Sequence, residues 1–168
     1  VPGENLTRVE AIERANSIHT ESYSVRLDLT TSDSTFRSRT TVTFGAERGA
    51  STFIDAITAT VHRVTLNGED LDPATVSDGV RIQLDNLAAE NVLVVDADMF
   101  YVNTGEGLHR FVDPVDNKVY LYSQFEVPDS RRVFAAFEQP DLKATFDFEV
   151  VAPTDWVVVS NSPTPTPT

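Results

Sequence analysis

The sequence predicts an all-β domain, a mostly antiparallel saddle or sandwich, preceded by one short helix. Three features of the chain point that way. Apolar and polar residues alternate with a period of two through most of its length, the pattern of half-buried strands. Turn dipeptides such as Asn67-Gly68 and Asp78-Gly79 break these runs, supplying residues that reach positive φ easily. Finally, 168 residues with ten Phe, four Tyr and one Trp among 40% hydrophobic residues are enough for one domain to bury a core.

Element by element, Thr7-Arg8-Val9-Glu10 has the form of a capping box, in which the Thr side chain accepts from the Glu N–H and the Glu side chain returns the bond. A helix over about 8–17 is therefore expected. Tyr23, Val25, Leu27 and Leu29 then alternate with polar residues, and Phe36, Thr40, Val42 and Phe44 repeat the pattern after Asp33-Ser34. These two runs predict a long antiparallel hairpin. Further strands are expected at 51–57, 60–66, 80–84, 91–100, 118–126, 144–152 and 156–160. Residues 1–160 read as the β domain. Residues 161–168, SPTPTPT with its preceding Asn, read as a Pro/Thr tail that cannot pair as a central strand.

Charge and composition exclude several classes. Asp and Glu outnumber Lys and Arg by 26 to 13, so the protein's field repels phosphate backbones and anionic lipid headgroups and mildly attracts a cation such as a peptide's amine. Nucleic acid is not an expected partner. No run of apolar residues is long enough for a membrane span, and no signal-peptide pattern opens the chain. With no cysteine, disulfides and thiolate metal sites are excluded, and a cytoplasmic location is expected. His19, His62 and His109 are far apart, and no HExxH occurs. No metal is expected on this chain.

Among residues that could carry chemistry, Gln124 and Glu126 stand out. They lie two apart where a strand runs into the Pro-containing turn SQFEVPDSRRVF. Residues so spaced share a strand face, placing an amide beside a carboxylate. Such a pair can take a polar ligand, the carboxylate meeting an ammonium and the amide adding a directional bond. It can equally be a solvated strand face, and the pattern alone does not decide. Asn103-Thr104-Gly105-Glu106-Gly107 lacks the G-K-[ST] of a phosphate loop and reads as a Gly-rich turn. His109 with Asp113 has no nucleophile beside it. Asp96 and Asp98 are too few for a calcium site. Arg131-Arg132 with Glu138 and Asp141 suggest ion pairs bracing a turn.

The stretch from Asn103 to Pro153, followed by WVVVSNSP, resembles the amino-terminal domain of zinc aminopeptidases of the aminopeptidase N family. The resemblance rests on G-x-G-L-H at 105–109, Y-x-Q-F-E at 122–126, S-R-R-x-F at 130–134, F-E-Q-P-D-x-K-A-x-F at 137–146 and V-S-N-S at 159–162. The opening PGENLTRVEA and the middle STFIDA and VTLNGEDLDP are similar to actinobacterial members. The resemblance implies a saddle-shaped β domain packed on a thermolysin-like catalytic domain that is absent here, so the β domain itself is expected to be truncated and the fragment alone inactive. It further implies that Gln124 and Glu126 are substrate-binding residues that hold the α-ammonium of a peptide substrate, in company with the Glu of a G-x-M-E-N motif. The zinc, its HExxH ligands and the catalytic residues would all belong to the missing domain. The alternative is a non-catalytic β-sandwich serving as an interaction or carbohydrate-binding module.

Overall fold

The computed structural model describes residues 5–168. The chain enters through helix α1 (Arg8–Ser17). Its capping box forms as expected: the Thr7 side chain accepts from the Glu10 N–H at 3.3 Å, and Glu10 accepts from the Thr7 N–H at 2.8 Å. The predicted hairpin follows as β1 (Ile18–Asp28) and β2 (Thr35–Ala46). Next come β3 (Thr52–Asp55), β4 (Thr60–Leu66), β5 (Glu69–Leu71), the single-turn α2 (Pro73–Val76), β6 (Arg81–Leu84) and β7 (Glu90–Phe100). The chain closes with β8 (Gly107–Val112), β9 (Val119–Gln124), a 3-10 turn at Ser130–Arg132 and β10 (Thr145–Val151).

The main sheet has six strands in the order β10-β1-β2-β7-β4-β5. All its pairings are antiparallel except that of β10 with β1. Period-two patterning decides which face is buried. Along β7, Asn91, Leu93, Val95, Ala97 and Met99 are buried while the residues between them are not. In β1 the buried parity switches from Ile18 and Thr20 to Tyr23, Val25 and Leu27. A bulge between Thr20 and Ser22 makes that switch, because one extra residue moves every later side chain to the opposite face. Asn67 and Gly68, at φ 54° and 85°, make the tight β4–β5 turn.

A second layer covers this sheet. The β3–β6 ladder forms its centre. Residues Val133–Phe137, all buried, extend it through the reciprocal bonds Asp55 N–H to Ala136 O (2.9 Å) and Ala136 N–H to Asp55 O (3.0 Å). Phe44 of β2 meets Phe137 edge-on at 5.2 Å, and the Tyr23 hydroxyl accepts from the Phe137 N–H at 3.1 Å. The β8–β9 hairpin is a separate two-stranded sheet beside this layer.

Three sequence expectations need correction. Residues 156–160 form no strand; Val157 and Val159 are 87% and 83% exposed, so apolar alternation there has no partner edge to satisfy. The strand placed at 118–126 stops at Gln124, and Glu126 lies in the following turn. The Gly-rich run at 103–107 leads directly into β8, which was not anticipated because its neighbour β9 supplies the pairing.

Candidate functional site

Hairpin β8–β9 sets the position of the site. Its connecting loop is closed by Asp side chains: Asp113 accepts from the Val115 N–H at 2.8 Å and Asp116 from the Lys118 N–H at 2.9 Å, as Asx turns do. The ladder then runs from Val112 opposite Val119 to Gly107 opposite Gln124. Gln124 is thus the last ladder residue, and Glu126 begins the turn beyond it. They do not sit side by side on one strand face.

A hydrogen bond brings the two together instead. The Gln124 side-chain amide donates to the Glu126 backbone carbonyl at 3.1 Å. That bond spends a donor of the amide and leaves its oxygen as an acceptor. The Glu126 carboxylate enters no ion pair among the described residues, and both side chains are exposed. The arrangement therefore presents acceptors without a protein donor, a chemistry suited to a cation.

The turn itself is held from behind. The Asp129 N–H donates to Phe125 O at 3.2 Å. Arg132 donates through Nε to Asp129 Oδ1 at 2.9 Å and lies 3.6 Å from Glu106. Glu138 accepts from the Ser130 hydroxyl and from the Arg131 N–H, the latter at 2.7 Å. Burial pushes the Glu138 carboxyl above its ordinary value, against the pull of these bonds. Of the bracing pairs expected from sequence, Glu138 does hold the turn, but by hydroxyl and backbone bonds, and Arg132 reaches Asp129 and Glu106.

The remaining candidates separate. Asp96 and Asp98 face arginine and histidine: Arg37 binds Asp96 and lies 3.6 Å from Asp98, and His62 Nε2 meets Asp98 at 2.8 Å. His109 does not pair with Asp113; its Nδ1 accepts from the Gly105 N–H at 3.1 Å, and its ring stacks on Tyr122 at 4.7 Å. Among the described residues no group of three His, Asp or Glu side chains is placed to hold a metal ion. A cleft of about 1540 Å³ lies between β9, β10 and the C-terminal segment; Ser123, Phe125 and Val127 line it, whereas Gln124 and Glu126 lie outside.

Comparison with known proteins places the chain in a family. The Peptidase M1 N-terminal domain family matches residues 19–167. Aminopeptidase N of Streptomyces lividans is 60% identical over 171 residues, covering 99% of this chain and 20% of the relative. The chain belongs to the Peptidase M1 N-terminal domain family. Tricorn protease-interacting factor F2 of Thermoplasma acidophilum is 26% identical over 143 residues, 85% of this chain and 18% of its own. In structure, the crystal structure of Legionella pneumophila aminopeptidase A in complex with aspartic acid superposes with TM-score 0.68 over 81% of this chain and 16% of that one, at 14% identity. That likeness shows a shared fold.

For this M1 N-terminal domain, sequence reasoning overlooked the residues that hold the turn from outside the motif. Glu106 looked like part of a Gly-rich loop, yet it reaches Arg132. Gly107 gave the only available signal: at φ +62° a Cβ would lie 2.7 Å from Arg132 Cβ, so a glycine is required where the 3-10 turn packs on β8. The chain spans 20% of the Streptomyces relative's length, and most of such a protein lies outside it.

Proposed function

We propose that this domain anchors substrate in a zinc aminopeptidase, with Gln124 and Glu126 holding the α-ammonium of a peptide's first residue. The observation that carries the reading is the Gln124 amide committed to the Glu126 carbonyl at 3.1 Å, which leaves the amide oxygen as an acceptor next to an exposed Glu126 that enters no ion pair among the described residues. A primary ammonium has three N–H donors and asks for such acceptors. Holding the free amine fixes register, so that only the first peptide bond reaches the reactive centre. The described residues offer no donor set for zinc; the metal, and the hydrolysis it supports, would belong to the remainder of the enzyme. The 60% identity to an aminopeptidase N supports the reading, and the absence of cysteine suits a cytoplasmic enzyme.

A second reading, a non-catalytic binding module, draws on the exposed rings of Phe111, Tyr120 and Tyr122 on the same hairpin, each about half exposed. One experiment separates the two. In the full-length enzyme Glu126→Gln keeps size but removes the charge, and losing one side of a desolvated charge pair costs about 2–5 kcal/mol. Since 1.4 kcal/mol is tenfold, kcat/KM for free-amine peptides falls roughly 30-fold or more. Gln124→Ala, which removes a neutral acceptor, costs about 1–3 kcal/mol. With an amino-acetylated substrate, poorly cleaved to begin with, the Glu126 change has no further effect. Equal kinetics on free-amine substrates would leave the binding-module reading standing.

A further inference from the structure

We infer that Arg132 is a positioning residue for the Gln124–Glu126 site, locking the turn that carries Glu126 onto the end of the β8–β9 hairpin through Asp129, Glu106 and Gly107. The inference rests on the amine-anchoring reading of Gln124 and Glu126. Glu126 lies in a turn, and a strand does not fix it: ladder pairing ends at Gln124 opposite Gly107. Something else must hold residues 125–129 in register with the hairpin, because an exposed carboxylate is useful as an anchor only if its backbone stays put.

Arg132 touches each part of that junction. Its backbone N–H donates to Asp129 O at 3.2 Å, and its Nε donates to Asp129 Oδ1 at 2.9 Å, so backbone and side chain grip one residue. Asp129 is 7% exposed, and its own N–H reaches back to Phe125 O, between Gln124 and Glu126. On the other side the guanidinium lies 3.6 Å from Glu106, the residue before β8. The stem of Arg132 lies on Gly107, where an added Cβ would come within 2.7 Å of its Cβ and 3.3 Å of its Cδ. Gly107 is the ladder partner of Gln124. One side chain thereby spans from the turn holding Glu126 to the residue paired with Gln124. A lysine could not do the same, since a single ammonium lacks the fork that serves two carboxylates at once.

The prediction separates positioning from general stability by using two backgrounds in the full-length enzyme. Glu106→Gln, an exposed change at one arm of the brace, lowers kcat/KM for a free-amine peptide about threefold, and Arg132→Lys about tenfold. In both the loss falls mainly on KM, because an anchor shared by ground and transition states is displaced. Combined with Glu126→Gln, each change costs less than about twofold more, because the group being positioned has already lost its charge. Activity on an amino-acetylated substrate is unaltered by either. Additive losses in the two backgrounds, or equal losses on acetylated and free-amine substrates, would overturn the positioning role and assign Arg132 to the fold alone. Should Arg132→Lys not fold, Glu106→Gln decides by the same cycle. If Glu126→Gln alone leaves kinetics unchanged, the anchoring reading fails first and this inference with it, an outcome distinct from additivity.

Discussion

The Arg14 guanidinium and the Asp55 carboxylate meet at 2.8 Å with both side chains only 1% exposed, joining helix α1 to strand β3. Around them Arg14 Nε donates to Gln139 at 3.1 Å, the Glu138 N–H donates to Asp55 at 3.2 Å, and the guanidinium lies 4.9 Å above the Phe53 ring. Three stretches of chain distant in sequence converge on one buried pair. The same junction holds Glu138, whose side chain caps the turn behind the candidate site.

Asp55 also lies 3.8 Å from Arg81, but removing Asp55 leaves Arg14 charged, buried and without its carboxylate, which costs about 3–5 kcal/mol. Asp55→Ala should destabilise the domain by that amount in urea unfolding. The double change Arg14→Met with Asp55→Ala should cost less than Asp55→Ala alone, because no orphaned charge remains. A double variant as unstable as the two singles summed would show that the pair acts independently, contrary to the geometry.

Acid should loosen the same end of the molecule through Glu10. Its hydrogen bond from Arg81, 2.7 Å away, draws its carboxyl down from the usual 4.5 to about 2, helped by the Thr7 bonds and opposed by burial. The folded pKa lies below the unfolded one, so this contribution is complete above about pH 4.5 and disappears as pH falls toward about 2. The full shift would correspond to about 3.4 kcal/mol, an upper bound that solvent screening of this partly exposed carboxylate reduces. Glu138 acts in the opposite direction: its carboxyl is raised by burial, and its contribution is lost as pH rises through that higher value. Glu10→Gln should therefore flatten the fall in stability between pH 4.5 and 2 without altering the slope above it. An unchanged acid limb in denaturant titrations would contradict the assignment.

Much of the fold was legible because local rules and tertiary contacts agree. Thr7 and Glu10 announce the helix, and the alternation in Tyr23–Leu29 and Phe36–Phe44 announces the central hairpin with its buried face. Where pairing is decided by a distant partner, the pattern failed. Val157 and Val159 alternate as a strand would but find no edge, and β8 looked like a loop because its register depends on β9. The site shows the same division. Gln124 and Glu126 could be named from the chain, but their relation is a side-chain to backbone bond across a turn, not the shared strand face that spacing suggests. Arg14, Asp55 and Glu106 carried no local signal, since their partners lie in other elements.

Tyr23 gives a test of the interface between the layers. It is 2% exposed, and its hydroxyl accepts from the Phe137 N–H at 3.1 Å. Burial pushes its pKa up to about 12. Tyr23→Phe leaves a buried N–H without a partner, at a cost of about 1–3 kcal/mol. Spectrophotometric titration should show one tyrosine fewer ionising late in the variant than in the wild type. Loss of stability without that spectral change would place the late-titrating phenol elsewhere.

Strand β10 forms the outer edge of the main sheet, and it is unusually apolar for an edge. Phe146 and Phe148 are 51% and 46% exposed and stack on one another at 6.1 Å, with Phe146 also stacked on Tyr23 at 4.7 Å. An open strand edge flanked by exposed rings favours association between copies. The formal charge of −13 opposes it, because two such molecules repel until salt screens them, over about 8–10 Å at ordinary ionic strength. The expected behaviour of this chain by itself is therefore salt-promoted self-association: sedimentation across a concentration series should show mass rising with protein concentration, and more steeply at 0.5 M salt than at about 0.05 M. Phe148→Lys places a charge in the exposed stack and on the edge strand, and should return the chain to a monomer at both salt concentrations, with a lowered unfolding midpoint because the ring also packs edge-on against buried Phe134 at 5.6 Å. A wild-type monomer at every concentration would mean that the edge is already protected by the twist of β10 and the segment after it. Association that persists in Phe148→Lys would place the contact elsewhere, with the exposed Tyr120 and Tyr122 on β9 as the next residues to change.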